Sequence, residues 1–399
     1  MAACNKRAFG TAPAVVAAIT VLAGCGSPAP VFLDPVLLDV SDTPAAFGAH
    51  EASLSVLTDG YAVAWFDTRD GHPEIYARTL DTSGQPAGPA RRLTAGTDAA
   101  YEAALVSDGE RLIVGWYEKS ASDMLTPKLG VWSRDGEPQW ATALATSGRN
   151  TVVGVHEDRI FAAWIQDETE TESSVWAGWW NVAGTMLAPP ARLAPAGQTT
   201  WNLNARLDNE GNAWLVFDAM AETQAEELFL VRTQPDGVPV VQQLTLDDGF
   251  ASKYPDLALA DGRAAVTWFD ERDGNQEVYL AVAPVAEIGA GLGDAAHRVT
   301  DTPGNSIGAY LTWNVDRLGL AWSDDSSGQH EVYFQAFDAL GGSIGERQQI
   351  THTPSASLIP AIRPWNTGFI LAWNETDLPA DSTGHTGTLS SRIVSALVP

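Results

Sequence analysis

Apolar residues recur along the chain in short runs such as Tyr61-Ala-Val-Ala-Trp65, Leu112-Ile-Val-Gly-Trp116, Ile160-Phe-Ala-Ala-Trp164, Leu318-Gly-Leu-Ala-Trp322 and Phe369-Ile-Leu-Ala-Trp373. Both faces of each run are apolar, one large and the other small. A strand of that kind lies between two close-packed sheets. The runs end on Trp65, Trp116, Trp164, Val216, Trp268, Trp322 and Trp373, at steps of 51, 48, 52, 52, 54 and 51. The residue before this anchor is small in six of the seven units, Leu215 being the exception.

A polar turn and a second aromatic strand follow each anchor, as in Trp65-Phe-Asp-Thr-Arg-Asp-Gly-His-Pro-Glu-Ile-Tyr76 and Trp268-Phe-Asp-Glu-Arg-Asp-Gly-Asn-Gln-Glu-Val-Tyr279. Asp-Gly supplies the positive φ of a tight hairpin. A further turn leads to a short outer strand such as Arg91-Arg-Leu-Thr94, Gln243-Leu-Thr245 or Gln349-Ile-Thr351. Four strands in about 50 residues make one blade. The expected fold is all-β: a seven-bladed β-propeller of four-stranded antiparallel blades over residues 36–399. The seventh unit reaches only three strands before the chain stops. Val40-Ser-Asp-Thr-Pro44 matches Val299-Thr-Asp-Thr-Pro303 and Ile350-Thr-His-Thr-Pro354, which both follow an outer strand. The N-terminal segment is therefore expected to complete the last blade and close the ring, which removes exposed sheet edges.

The segment Asp67-Thr-Arg-Asp-Gly-His-Pro-Glu-Ile-Tyr76, continuing to Arg91-Arg-Leu-Thr94, resembles the TolB-like propeller repeat. The match is good in units one and five, partial in six and weak in the rest. The resemblance covers the propeller only and implies the fold more than a partner. TolB itself has six blades and an N-terminal α/β domain that this sequence lacks.

The start of the chain carries Lys6 and Arg7, then an apolar run from Ala12 to Ala23, too short for a mature membrane span. Leu22-Ala23-Gly24-Cys25 resembles the lipobox of bacterial lipoproteins, which implies cleavage before Cys25 and a diacylglycerol on its thiol. The competing reading makes Cys25 an incidental cysteine near an ordinary cleavage site. On the lipoprotein reading residues 1–24 are a signal peptide, 25–35 the lipidated Cys and a Gly/Pro tether, and the protein is exported and held in the cell envelope, at the outer membrane. Cys4 would be lost with the signal, leaving one thiol and no internal disulfide.

Charge narrows the partners. Twenty-three basic against fifty acidic residues give −27, and losing Lys6 and Arg7 makes this −29. Such a surface repels phosphate backbones, so nucleic acid is excluded as a partner. No feature calls for a second copy, and a monomer is expected.

The acid two residues after the anchor recurs as Asp67, Glu118, Asp218, Asp270, Asp324 and Glu375, with Gln166 in the third unit. It either caps the hairpin by accepting backbone N–H groups or joins a calcium loop, using Asp67, Asp70 and Glu74 or Asp270, Asp273 and Glu277. Calcium is the one cofactor this spacing suggests, and no transition-metal or catalytic constellation is present. Asp167, Glu168, Glu170, Glu172, Glu222, Glu226 and Glu227 add to an acidic loop face. The Gly-x-Ser-x-Gly matches at Ser306 and Ser343 sit between strands with no helix following, unlike a nucleophile elbow. Ser133-Arg-Asp-Gly-Glu-Pro-Gln-Trp140 misplaces the Gly of an Asp-box and reads as a plain turn.

Innermost strands begin with Glu51, Glu102, Trp201, Tyr254, Asp256 and Tyr310, where side chains can rim a central channel. Aromatics beside acids suit sugar or peptide capture, while the plainer reading packs them between blades. The expectation is a lipid-anchored envelope propeller, a non-catalytic binding or scaffolding module for protein or glycan. The alternative is a carbohydrate-active enzyme, a glycoside hydrolase or polysaccharide lyase, using acids at the channel mouth.

Overall fold

A computed structural model describes residues 37–44, 48–169, 172–194, 200–235, 237–260, 262–377 and 391–398. The signal peptide, Cys25 and the tether lie outside the described residues. Among those described, seven four-stranded sheets are present, each an antiparallel meander ordered from inner to outer strand. Blade one, for example, comprises Ala49–Leu57, Gly60–Asp67, Glu74–Leu80 and Arg91–Arg92.

Blade seven is built from both ends of the propeller. Its inner three strands are Ala356–Trp365, Gly368–Thr376 and Ser391–Val398, and Leu38–Asp39 is its outer strand. Leu38 pairs with Ser395 and Asp39 with Val394. The Val40 N–H donates to the Ile393 carbonyl at 2.8 Å, and the Ile393 N–H to Ser41 Oγ at 3.0 Å. The edge of an otherwise three-stranded sheet is thereby covered.

Seven apolar clusters occupy the seven seams between blades. The seam that joins blade seven to blade one holds Val40, Ile370 and Ile393 against Leu54, Val63 and Trp65. Trp65, Trp116, Trp164, Trp268, Trp322 and Trp373 each pack into the seam with the preceding blade. The small residues beside them let the following blade approach.

Blade four corrects the sequence reading by one residue. Val216 faces the following blade, whereas Leu215 and Phe217 fill the seam with the preceding one. Phe217 stacks on its cross-strand partner Phe229 at 5.5 Å, as Trp268 stacks on Tyr279 at 5.5 Å. The anchor of this blade is therefore Phe217. A one-residue slip exchanges the faces of a strand, so Asp218 points to the other side from the acids that follow the tryptophans. Blade five departs in its last connection, which folds into the short helix Val285–Ile288 and the 3-10 turn Gly293–Ala295, burying Ile288 and Leu292.

A hydrogen-bond device explains the Leu-Thr or Ile-Thr that ends several outer strands. The hydroxyls of Thr94, Thr245, Thr300 and Thr351 donate to Glu74, Glu227, Glu277 and Glu331. Each also accepts the N–H that follows its glutamate, at 2.8 to 2.9 Å. Every buried glutamate of this set is thus tied to the end of its own blade.

Candidate functional site

The inner strands share a distortion that aims side chains at the axis. Each of the seven carries one extra residue near its start, between His50 and Ser53 in blade one and at corresponding places in the others. In six blades a residue there takes positive φ: Glu51 (56°), Glu102 (54°), Asn150 (49°), Tyr254 (54°), Gly308 (59°) and Ile359 (55°). Five of the six are not glycine, and such backbone costs about 1–2 kcal/mol for an ordinary L-residue. The bulge breaks the pleat and re-aims the side chains beside it.

Three layers of side chains follow along the axis. Glu51, Glu102, Asn150, Asn202 and Tyr254 form the first layer, Asn204 and Tyr310 belong to the second, and Arg206 and Arg363 lie in the third. All of them line one cavity of about 360 Å³. Four of the six expected residues, Glu51, Glu102, Tyr254 and Tyr310, meet in this space. Trp201 does not. The slip in blade four gives its bulge position to Asn202 and leaves Trp201 facing away, 46% exposed, with its carbonyl turned to Arg149. Asp256 sits in the wall behind the cavity, fully buried. It takes Arg206 in an ion pair at 2.8 Å and accepts the Leu311 N–H at 3.1 Å.

Charges sort by depth. Burial, then the neighbouring Glu102 carboxylate, pushes Glu51 up to about 8, so it is protonated at neutral pH. Burial also raises Glu102, opposed by the Arg149 charge and the Tyr117 hydroxyl. The phenols of Tyr254 and Tyr310 are raised by burial and then by nearby carboxylates. In the deepest layer, burial and then the Arg206 charge lower Arg363 to about 10, while Asp256 pulls the other way. The pocket thus offers a neutral carboxylic acid at Glu51, a second carboxyl group at Glu102, two phenols as hydroxyl partners, and guanidinium groups at depth.

The sequence reading missed Arg206, Arg363 and the asparagines. Counting back fourteen residues from each tryptophan reaches the bulge positions 51, 102, 150, 254, 308 and 359. In blades one, two, three, five and seven that count lands on a residue that lines the cavity.

The recurring acids lie elsewhere and are occupied. Asp67, Glu118, Asp270 and Glu375 accept the indole N–H of their own anchors at 3.1, 3.2, 3.0 and 2.8 Å. Asp67 and Asp270 also accept the backbone N–H and guanidinium of Arg69 and Arg272. Among the described residues, the indole N–H groups of Trp164, where Gln166 replaces the acid, and of Trp322, where Asp324 instead accepts Ser306 and Thr302, are buried without a partner. Asp218, displaced by the slip, accepts Asn202 N–H at 2.7 Å and Tyr254 N–H at 2.9 Å and so ties two inner strands together.

The groups considered for calcium are engaged too. Asp70 accepts the Tyr76 hydroxyl and pairs with Arg92, and Glu74 binds Arg92 and Thr94. Asp273 and Glu277 repeat this with Tyr279, Arg298 and Thr300. Among the described residues no three acids, histidines or cysteines converge on a metal position. Glu226 pairs with Lys253 at 3.1 Å and Asp167 with Arg149 at 3.2 Å, so part of the acidic loop set is structural, while Glu170 lies outside the described residues. Ser306 is buried and donates to Asp324 at 2.6 Å, as Ser252 does to Asp270 and Ser357 to Glu375. It closes a strand end. Ser343 opens an exposed outer strand.

No protein-family description fits the sequence, and no curated protein matches it. The fold does have relatives among solved structures. A protein of unknown function from Dyadobacter fermentans superposes with a TM-score of 0.57 at 9% identity, over 91% of this chain and 97% of that one. The phage phi92 endosialidase gives 0.54 at 10% identity, over 92% of this chain and 69% of its own. The polysaccharide lyase Uly1 gives 0.53 at 9% identity, over 88% and 90%. These likenesses are of fold alone.

Proposed function

We propose that this protein is a lipid-anchored cell-envelope propeller that binds a glycan in its central channel, without turning it over. One observation carries the reading: the bulges of neighbouring inner strands, strained at Glu51, Glu102, Asn150 and Tyr254, bring two glutamates, two asparagines and a tyrosine to one cavity of about 360 Å³. A pocket rich in hydroxyl, amide and carboxyl groups, with aromatic rings at its mouth, suits a polyhydroxylated ring better than an apolar ligand. Tyr254, 48% exposed and stacked on Phe269 at 5.4 Å, offers the platform. The likeness of fold to an endosialidase and a polysaccharide lyase fits a glycan partner. Envelope anchoring rests on Leu22-Ala23-Gly24-Cys25, and the TolB-like reading of the repeat on the segment Asp67–Tyr76 with Arg91–Thr94 and its counterpart in blade five.

The test is a glycan array probed with the purified protein, followed by Tyr254→Ala and Glu51→Gln. A bound glycan whose affinity falls at least about tenfold in these variants, with its chain length unchanged, is the expected result. Binding to no glycan, or binding indifferent to both substitutions, contradicts the proposal.

One arrangement favours the enzymatic alternative. Glu51 is held neutral beside Glu102, and two neighbouring carboxyl groups in one cavity are the arrangement that acid–base catalysis uses. Shortening of the bound glycan that disappears in Glu51→Gln would decide for it.

A further inference from the structure

The third layer of the channel holds an imbalance. Arg206 is neutralised by Asp256 at 2.8 Å. Arg363 lies beside it with one hydrogen bond, from Nη1 to the adjacent Ile362 carbonyl at 2.7 Å, and among the described residues no carboxylate comes within ion-pair distance. A guanidinium presents five donors in a flat fork. Holding such a half-buried group in a cavity without a paired anion is unfavourable, and repulsion from Arg206 adds to the cost. The remaining donors open onto the cavity. Tyr310, one layer nearer the mouth and in the neighbouring blade, lines the same cavity, and among the described residues nothing hydrogen-bonds its hydroxyl.

We propose that Arg363 and Tyr310 form a seat for the carboxylate of an acidic sugar, so that the glycan of the channel is a uronate. This deepens the glycan reading and rests on it. One unmatched guanidinium calls for one negative charge. A dianion such as a phosphate would place its excess against Asp256 and Glu102. The planar fork matches a carboxylate with two parallel hydrogen bonds, and the Tyr310 hydroxyl supplies a third donor. The protonated Glu51 in the first layer does not repel the incoming anion and meets the hydroxyls of the ring. The cavity is large enough for one to two sugar rings.

Calorimetric titration of the purified full chain with glucuronate, glucose and acetate at pH 7 separates the possibilities, with Arg363→Gln and Arg363→Lys as variants. Glucuronate should bind at least about tenfold more tightly than glucose or acetate. Arg363→Gln should remove that preference and leave glucose where it was, and Arg363→Lys should restore part of it. Equal affinity for glucuronate and glucose, or a preference that survives Arg363→Gln, overturns the carboxylate seat and leaves glycan binding standing. Acetate binding as tightly as glucuronate, in an Arg363-dependent way, keeps the seat and removes the glycan. Binding of none of the three overturns the seat. Should Arg363→Gln fail to fold, the comparison of glucuronate with glucose on the unaltered protein decides.

Discussion

Replacing Glu51 by glutamine tests the electrostatics of the channel without changing its shape. In the folded protein Glu51 titrates at about 8, against 4.5 for a free glutamate. A carboxyl whose pKa is raised by folding is a burden on the native state. The burden is absent below pH 4.5, where both states are protonated. It grows as the unfolded chain ionises and is complete above about pH 8. A shift of about 3.5 units at 1.36 kcal/mol each sets an upper bound of about 5 kcal/mol. Water in the cavity and the answering titration of Glu102 reduce this to about 2–4 kcal/mol. Glu51→Gln should therefore lie within about 1 kcal/mol of the parent protein at pH 5 and exceed it by about 2–4 kcal/mol at pH 9. Urea unfolding followed by tryptophan fluorescence at the two pH values reads this difference. The same offset at both would mean that Glu51 is ionised in the folded protein, and the picture of a neutral donor at the channel mouth would fail.

Three further outcomes follow from the fold. Trp268 is fully buried, stacks on Tyr279 and donates to Asp270, so Trp268→Ala should cost about 3–5 kcal/mol in urea unfolding, and a loss below about 1 kcal/mol would place the ring outside the seam. Val315 holds φ of 58° in a hairpin turn while 79% exposed, so Val315→Asn should raise stability by about 1 kcal/mol, and an unchanged melting temperature would refute that strain. Deleting residues 36–44 strips the outer strand from blade seven and should destabilise the propeller by about 2–4 kcal/mol, whereas deleting 26–34 should leave its melting unchanged; equal effects would refute closure by that strand.

The blades were legible in the sequence because packing between two sheets imposes a large–small alternation that ordinary strands do not need. Closure was legible because Val40-Ser-Asp-Thr-Pro44 repeats the sequence that follows other outer strands. Blade four was misread because Val216 and Phe217 are both apolar and only their faces distinguish them. That slip moved Trp201 out of the channel and changed the role of Asp218. The channel itself was half legible. Glu51, Glu102 and Tyr254 stand out as polar or aromatic residues at strand starts. Arg206 and Arg363 lie several residues further on, beyond an extra residue that breaks the alternation, where a count from the strand start points to the wrong face. The acids after the anchors were conspicuous because they recur, and in blades one, two, five and seven the acid holds the indole of its own anchor.

A glycan held in the channel can be observed directly. The most direct measurement is a crystal structure of the protein grown with the glycan that binds most tightly in the array. Density is expected for a sugar between Glu51 and Tyr254 at the mouth, with a carboxylate against Arg363 at depth. Density on the outer face of the blades, with the channel holding only water, would contradict it.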